Sequence, residues 1–308
     1  MNYLWQLCLS IIITFVGCFF INITNSLALE SSTITAIDWF KMGVQQIQEN
    51  HYPAAIEYFN LAIETKDNYT AAYKNRCLAY LQIADYSQAI KSCNQALNLA
   101  SPDSEVYLNI GLAKYRQGNY LKAIKDYNQA LILKPDDFRV YYNRGLAFAA
   151  QDDLTQAIAD YNQALSAIPA NNINYNSSLV DIYNDKGLAY FELGNFSQAM
   201  NNFGLAISLN SDDDRAYFNR GCVCERSGDN LGARYNFSQV IQIQPGNALA
   251  YFNRGVANYH LGYYQKAISD LQQASIHFEK KGQELAYKNT LELLKVVQST
   301  MSSVLEIV

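Results

Sequence analysis

The sequence predicts an all-α fold built from helix–turn–helix repeats, and three observations carry that prediction. A phrase recurs: Ala-Tyr-Phe-Asn-Arg-Gly at 216–221 and 250–255, with weaker copies at 72–77, 106–111, 140–145 and 182–187. The leading aromatics Trp39, Tyr73, Tyr107, Tyr141, Tyr183, Tyr217 and Tyr251 are spaced by 34, 34, 34, 42, 34 and 34 residues. All 5 prolines fall where that period places helix boundaries. A fixed period of this length marks stacked supersecondary units, because no single unit buries its own apolar face.

Composition is consistent with a globular chain. Of 308 residues, 50% are hydrophobic and 17% charged, enough apolar surface for a core. The net charge of −5 argues against a nucleic-acid partner, which requires a basic face. The six cysteines are too scattered for a disulfide scaffold.

Residues 4–23 are almost wholly apolar, and no charged side chain precedes Glu30. Twenty helical residues span about 30 Å, the thickness of a bilayer core. Residues 1–28 therefore read as a signal peptide cut after Ala28 or as an uncleaved membrane anchor, followed by a linker at 29–35. Either reading places the protein outside the reducing cytoplasm (periplasmic, lumenal or extracellular) or tethers it to a membrane.

Each repeat is justified by its own positions. With the aromatic as position 4 of a 34-residue unit, position 8 is glycine in six units and Cys77 in the second. Position 20 is alanine in every unit, and position 27 in all but one, where Val240 stands. Position 24 is large (Phe59, Tyr127, Tyr161, Phe203, Phe237, Leu271) except for Cys93. Small residues at 8 and 20 let two helices approach, and large ones at 24 fill the space beside them. Gly118, Gly194, Gly228 and Gly262 at position 15 mark the turn between the helices. Cys77 and Cys93 face each other across one helix pair, as a disulfide in an oxidising compartment or as two buried thiols.

The pattern resembles the tetratricopeptide repeat (TPR) family. The resemblance covers residues 36–281 in seven units, beginning at Ala36, Thr70, Ser104, Phe138, Val180, Asp214 and Ala248. It implies a right-handed superhelix (an α-solenoid) of antiparallel helix pairs. The first helix of each pair would line a concave groove that takes peptides or protein segments.

Two interruptions break the register. Residues 172–179 are an eight-residue insertion, read as an asparagine-rich loop leading to an N-cap at Ser178 with Asp181 three residues on. After Gly282, residues 283–301 carry Leu285, Leu291, Leu294, Val297 and Met301 among polar residues, which predicts a capping helix in the 282–308 tail.

No catalytic constellation is legible. His51, His260 and His277 lie away from cysteines or carboxylates at ligand spacing, and Cys222-x-Cys224 has no second pair, so no metal or other cofactor is expected. Phosphate loops and nucleophile elbows are missing.

The groove is where function is expected. Position 6 carries Asn75, Asn109, Asn143, Asn219 and Asn253, with Lys41 and Asp185 departing from the series. A carboxamide both donates to and accepts from peptide groups, and in some TPR superhelices similar asparagines form a ladder along a bound backbone. Position 5 adds Tyr142, Phe218 and Phe252 as apolar contacts. The basic clamp of chaperone-binding TPR domains is not evident. At position 7, Arg144 and Arg254 are expected to pair with Asp160 and Asp270 across their own repeats, whereas Arg76 faces Ser92 and Arg220 faces Asn236.

The expected function is a non-enzymatic scaffold or assembly factor binding a peptide or protein segment in the groove. A docking subunit for a separate catalytic chain and a self-associating structural protein are the alternatives.

Overall fold

A computed structural model describes residues 34–169 and 173–307. The export or anchor segment expected within residues 1–28 lies outside the described residues. Among the described residues no helix is long and apolar enough to cross a membrane.

The described residues form fifteen α-helices and one 3-10 turn, without strands. The chain divides into two compact units, up to residue 101 and from residue 102 onward. The first unit holds two helix pairs, α1 (Ala36–Gln48) with α2 (Tyr52–Thr65) and α3 (Thr70–Gln82) with α4 (Tyr86–Leu99). The second holds five pairs: α5 (Ser104–Arg116) with α6 (Tyr120–Leu133), α7 (Phe138–Ala149) with α8 (Leu154–Ala167), α9 (Asn176–Glu192) with α10 (Phe196–Leu209), α11 (Asp214–Arg226) with α12 (Asn230–Ile243), and α13 (Ala248–His260) with α14 (Tyr264–Lys280). A last helix, α15 (Glu284–Ile307), packs on α14.

Short polar side chains start these helices. Thr35 makes a capping box with Asp38, and Asp103, Asp137, Asp213 and Asn247 accept from first-turn N–H groups of later first helices. Asp85, Asp153, Asn195 and Asp229 do the same for second helices. The turn between the helices of a pair has one geometry throughout. Position 15 has a positive φ not only at the four expected glycines but also at Asn50, Ala84 and Asp152, near +60°.

The core follows the small-against-large rule. A Cβ added to Gly187 would stand 2.6 Å from Cε1 of Phe203, and one on Gly145 would stand 2.7 Å from Cε1 of Tyr161. Glycine at position 8 is therefore a packing requirement, since its helix rests directly on the ring at position 24. In the second repeat, Cys77 and Cys93 hold these positions and are bonded, with Cα atoms 5.3 Å apart.

The arginines at position 7 do more than the sequence suggests. Arg144 grips Asp160 through two 2.7 Å bonds, and Arg254 grips Asp270 at 2.9 and 2.6 Å. Where no carboxylate is present, Nε of Arg76 donates to Ser92 and that of Arg220 to Asn236. Nη1 then reaches back to the preceding repeat, from Arg76 to Asn60, Arg144 to Asn128 and Arg254 to Ser238. Each of these three arginines staples its own helix pair to the one before. Arg139–Glu105 and Arg215–Asp181 add exposed ion pairs one repeat apart, at 2.7 and 2.8 Å.

Two expectations need correction. Ser178 does not cap a helix: a 3-10 turn at Ile173–Tyr175 leads straight into α9 at Asn176, and α9 has 17 residues against 13 in α5. Half of the insertion, residues 176–179, lengthens α9, and Tyr175 just before it finds an apolar partner, its ring edge-on to Phe138 at 5.3 Å. Leu285 does not join the buried stripe of α15 but is 73% exposed. Nine residues separate it from Leu294, which is about two and a half helical turns and so the opposite face. Leu293, Leu294, Val297 and Met301 form the stripe, against Ala267, Ile268 and Leu271.

Candidate binding groove

In the second unit the first helices α5, α7, α9 and α11 touch in succession, so they line one inner face of the stack. The predicted groove residues of this unit lie on three of these helices and on α13, but they are not equivalent. Nδ2 of Asn143 donates to the carbonyl of Arg139 at 2.7 Å, and in the first unit Nδ2 of Asn75 donates to that of Ala71 at 2.9 Å. Both therefore bond to their own helix one turn back, a competition open to any mid-helix asparagine. Each keeps its Oδ1 and a second N–H for another partner. Asn109 is buried, at 7% exposure, and Asn253 is half-buried. Asn219 is the distinctive one, because its Nδ2 is buried without a hydrogen-bond partner.

The aromatics at position 5 form the floor of the face. Tyr142 lies against Tyr161 with ring centres 6.1 Å apart, and Phe218 lies edge-on to Phe237 at 5.6 Å. Phe252 is half-buried against Leu271 and Ala274 and their neighbours. Each therefore leans on side chains contributed by the second helix of its own repeat.

One concavity on this face includes Asp185. A cavity of ≈ 370 Å³ is lined by Tyr115 of α5, Leu146 and Ala149 of α7, Ala150, Leu154 and Tyr161 of α8, and Asp185, Leu188, Ala189 and Glu192 of α9. Oδ2 of Asp185 accepts from the hydroxyl of Tyr142 at 2.7 Å. Its Oδ1 stands 3.7 Å from Nη1 of Arg215, whose other nitrogen is held by Asp181 at 2.8 Å. The Asp185 side chain is 16% exposed. Burial raises its carboxyl above the ordinary value, against the opposing pull of Tyr142 and Arg215. Burial likewise pushes up the phenols of Tyr115, Tyr142 and Tyr161, which stay neutral donors at neutral pH.

Two family models match the chain. One, described as a tetratricopeptide repeat, covers residues 108–172 and 225–282, and the other, a TPR repeat, covers 187–228. The chain belongs to the tetratricopeptide repeat family. The TPR fold also accounts for its structural likenesses. A TPR protein from Parabacteroides merdae superposes with a TM-score of 0.61 at 19% identity, covering 83% of this chain and 98% of that one. YrrB, a TPR protein with an unusual peptide-binding site, superposes with a TM-score of 0.53 at 21% identity, covering 66% and 99%. A chain of the APC/C hetero-tetramer Cut9–Hcn1 gives 0.60 at 18% identity, covering 74% of this chain but only 44% of its own. At these identities the likeness is one of fold. No curated protein matches the chain.

Sequence reasoning passed over the cavity. It treated Asp185 as a departure from the asparagine series and did not single out positions 12 and 13, which supply Tyr115, Ala149, Ala150 and Glu192. The available signal was the lone carboxylate at position 6, where five of the seven repeats carry asparagine.

Proposed function

We propose that this TPR protein is a non-enzymatic interaction scaffold that holds an extended protein segment on the first-helix face of its second unit. The supporting observation is that the first-helix face carries a cavity of ≈ 370 Å³ lined by Tyr115, Tyr161, Asp185 and aliphatic side chains. The carboxamide capacity that Asn143 keeps beyond its bond to Arg139 would meet a backbone group of a bound segment, and the cavity would take a side chain. Residues 1–28 are proposed to export or tether the scaffold. The Cys77–Cys93 bond supports an oxidising compartment, where such bonds persist.

The test is capture of a partner from the native source with the wild-type chain and with the double variant Asn143→Ala and Asn219→Ala. Capture is expected to fall while the Tm stays nearly unchanged. Undiminished capture, or a large loss of Tm, overturns the reading.

A further inference from the structure

The cavity around Asp185 has a charge character of its own. Its lining contains two carboxylates, Asp185 and Glu192, the rings of Tyr115 and Tyr161, several aliphatic side chains and no lysine or arginine. Glu192 is exposed, whereas Asp185 is largely buried. The nearest cation recorded beside Asp185 is Arg215, and it is shared: it bonds Asp181 at 2.8 Å and stands 3.7 Å from Asp185. One guanidinium therefore faces two carboxylates, Asp181 and Asp185. The Tyr142 hydroxyl fixes the orientation of the Asp185 carboxylate without neutralising it.

A partly desolvated carboxylate is costly unless a cation meets it, and a nearby aromatic ring adds attraction for the same cation. The aliphatic walls of Leu146, Leu154 and Leu188 suit the methylene stem of a long basic side chain, which buries its stem while its head finds the charge. The volume accommodates one such side chain with room for water.

Resting on the groove reading above, we infer that the cavity is a specificity pocket for a lysine or arginine side chain of the bound segment, its cation paired with Asp185 and flanked by Tyr115 and Tyr161. This is opposite in sign to a groove that grips a carboxylate. A cation entering there would compensate the partly desolvated Asp185 carboxylate, and burial of the pair would strengthen it relative to an exposed ion pair. The raised carboxyl of Asp185 accords with this, since it reports a site where the ionised form lacks sufficient compensation from the protein itself.

The test selects random linear peptides displayed on phage against the full chain, then measures the winners by fluorescence anisotropy. Peptides with arginine or lysine at one fixed position are expected. Replacing that residue with citrulline or norleucine, which keeps the length but removes the charge, should weaken binding by about tenfold or more. Asp185→Asn should weaken the charged peptide by a similar factor and leave the neutral analogue unaffected. Asparagine is the residue most repeats already carry at this position, and circular dichroism checks the fold. Ala150→Trp fills the cavity without altering charge and should abolish binding of both. If winners are blocked by Ala150→Trp but carry no fixed cation, or bind Asp185→Asn equally well, the basic-pocket inference fails and the groove reading stands. If no peptide is enriched, or winners are indifferent to Ala150→Trp, both fail.

Discussion

Cys77 and Cys93 are bonded to each other at the two positions that Gly187 and Phe203 occupy in the fifth repeat. Elsewhere a ring at position 24 fills the space that a glycine opens at position 8. In the second repeat neither partner is large, and a covalent bond takes the place of the ring contact. Both sulfurs lie in residues with no exposed surface.

The bond joins residues 16 apart. Closing a loop of that size stabilises a chain by about 3 kcal/mol through the unfolded state. Reduction is accordingly expected to lower the Tm. Cys77→Gly with Cys93→Phe, which rebuilds the contact used by the fifth repeat, should be insensitive to reductant. Thermal scans with and without reductant check both, and equal Tm values for the wild type would count against the bond.

Tyr127 has no exposed surface, and its hydroxyl is buried without a partner. Phe59, Phe203 and Phe237 occupy the same place in other repeats. An unsatisfied buried hydroxyl costs about 1–3 kcal/mol. Tyr127→Phe is expected to stabilise the protein by about 1 kcal/mol, allowing for relaxation around the hydroxyl. Denaturant titration measures it, and a lower midpoint for the variant would mean that the hydroxyl has a partner after all.

Ala84 has a φ of +60°, in the conformation that Gly118, Gly194, Gly228 and Gly262 adopt at the same turn. An L side chain in that region costs about 1–2 kcal/mol. Ala84→Gly should stabilise the protein by about 1 kcal/mol, glycine's extra unfolded-state entropy offsetting part of the relief. Gly118→Ala should shift the unfolding midpoint the other way, and the same sign in both variants would contradict the strain argument.

The sequence showed the repeat architecture because each requirement repeats at a fixed offset. Glycine or cysteine at position 8, alanine at 20 and a large residue at 24 are contacts within one helix pair, so period alone exposes them. The pairing of Arg144 with Asp160 was legible for the same reason, both groups lying in a single unit. The second half of that staple was not, because Asn128 belongs to the preceding repeat and neutral acceptors carry no charge pattern to follow. The start of α9 at Asn176 was missed because a local capping signal at Ser178 competed with a long-range contact, Tyr175 on Phe138.

By itself the sequence determined the helix-pair repeat, the turn at position 15, the close-packed positions and the face on which the asparagines lie. Those follow from local periodicity, and every unit restates them. Only the tertiary structure decided which of those asparagines spend a donor on their own helix and which groups meet at the Asp185 cavity. That cavity gathers Tyr115, Tyr161 and Asp185 from three consecutive repeats, with Tyr142 bonded to Asp185 and Arg215 of a fourth repeat beside it. Such a meeting depends on how stacked units are offset from one another, and no single repeat encodes it.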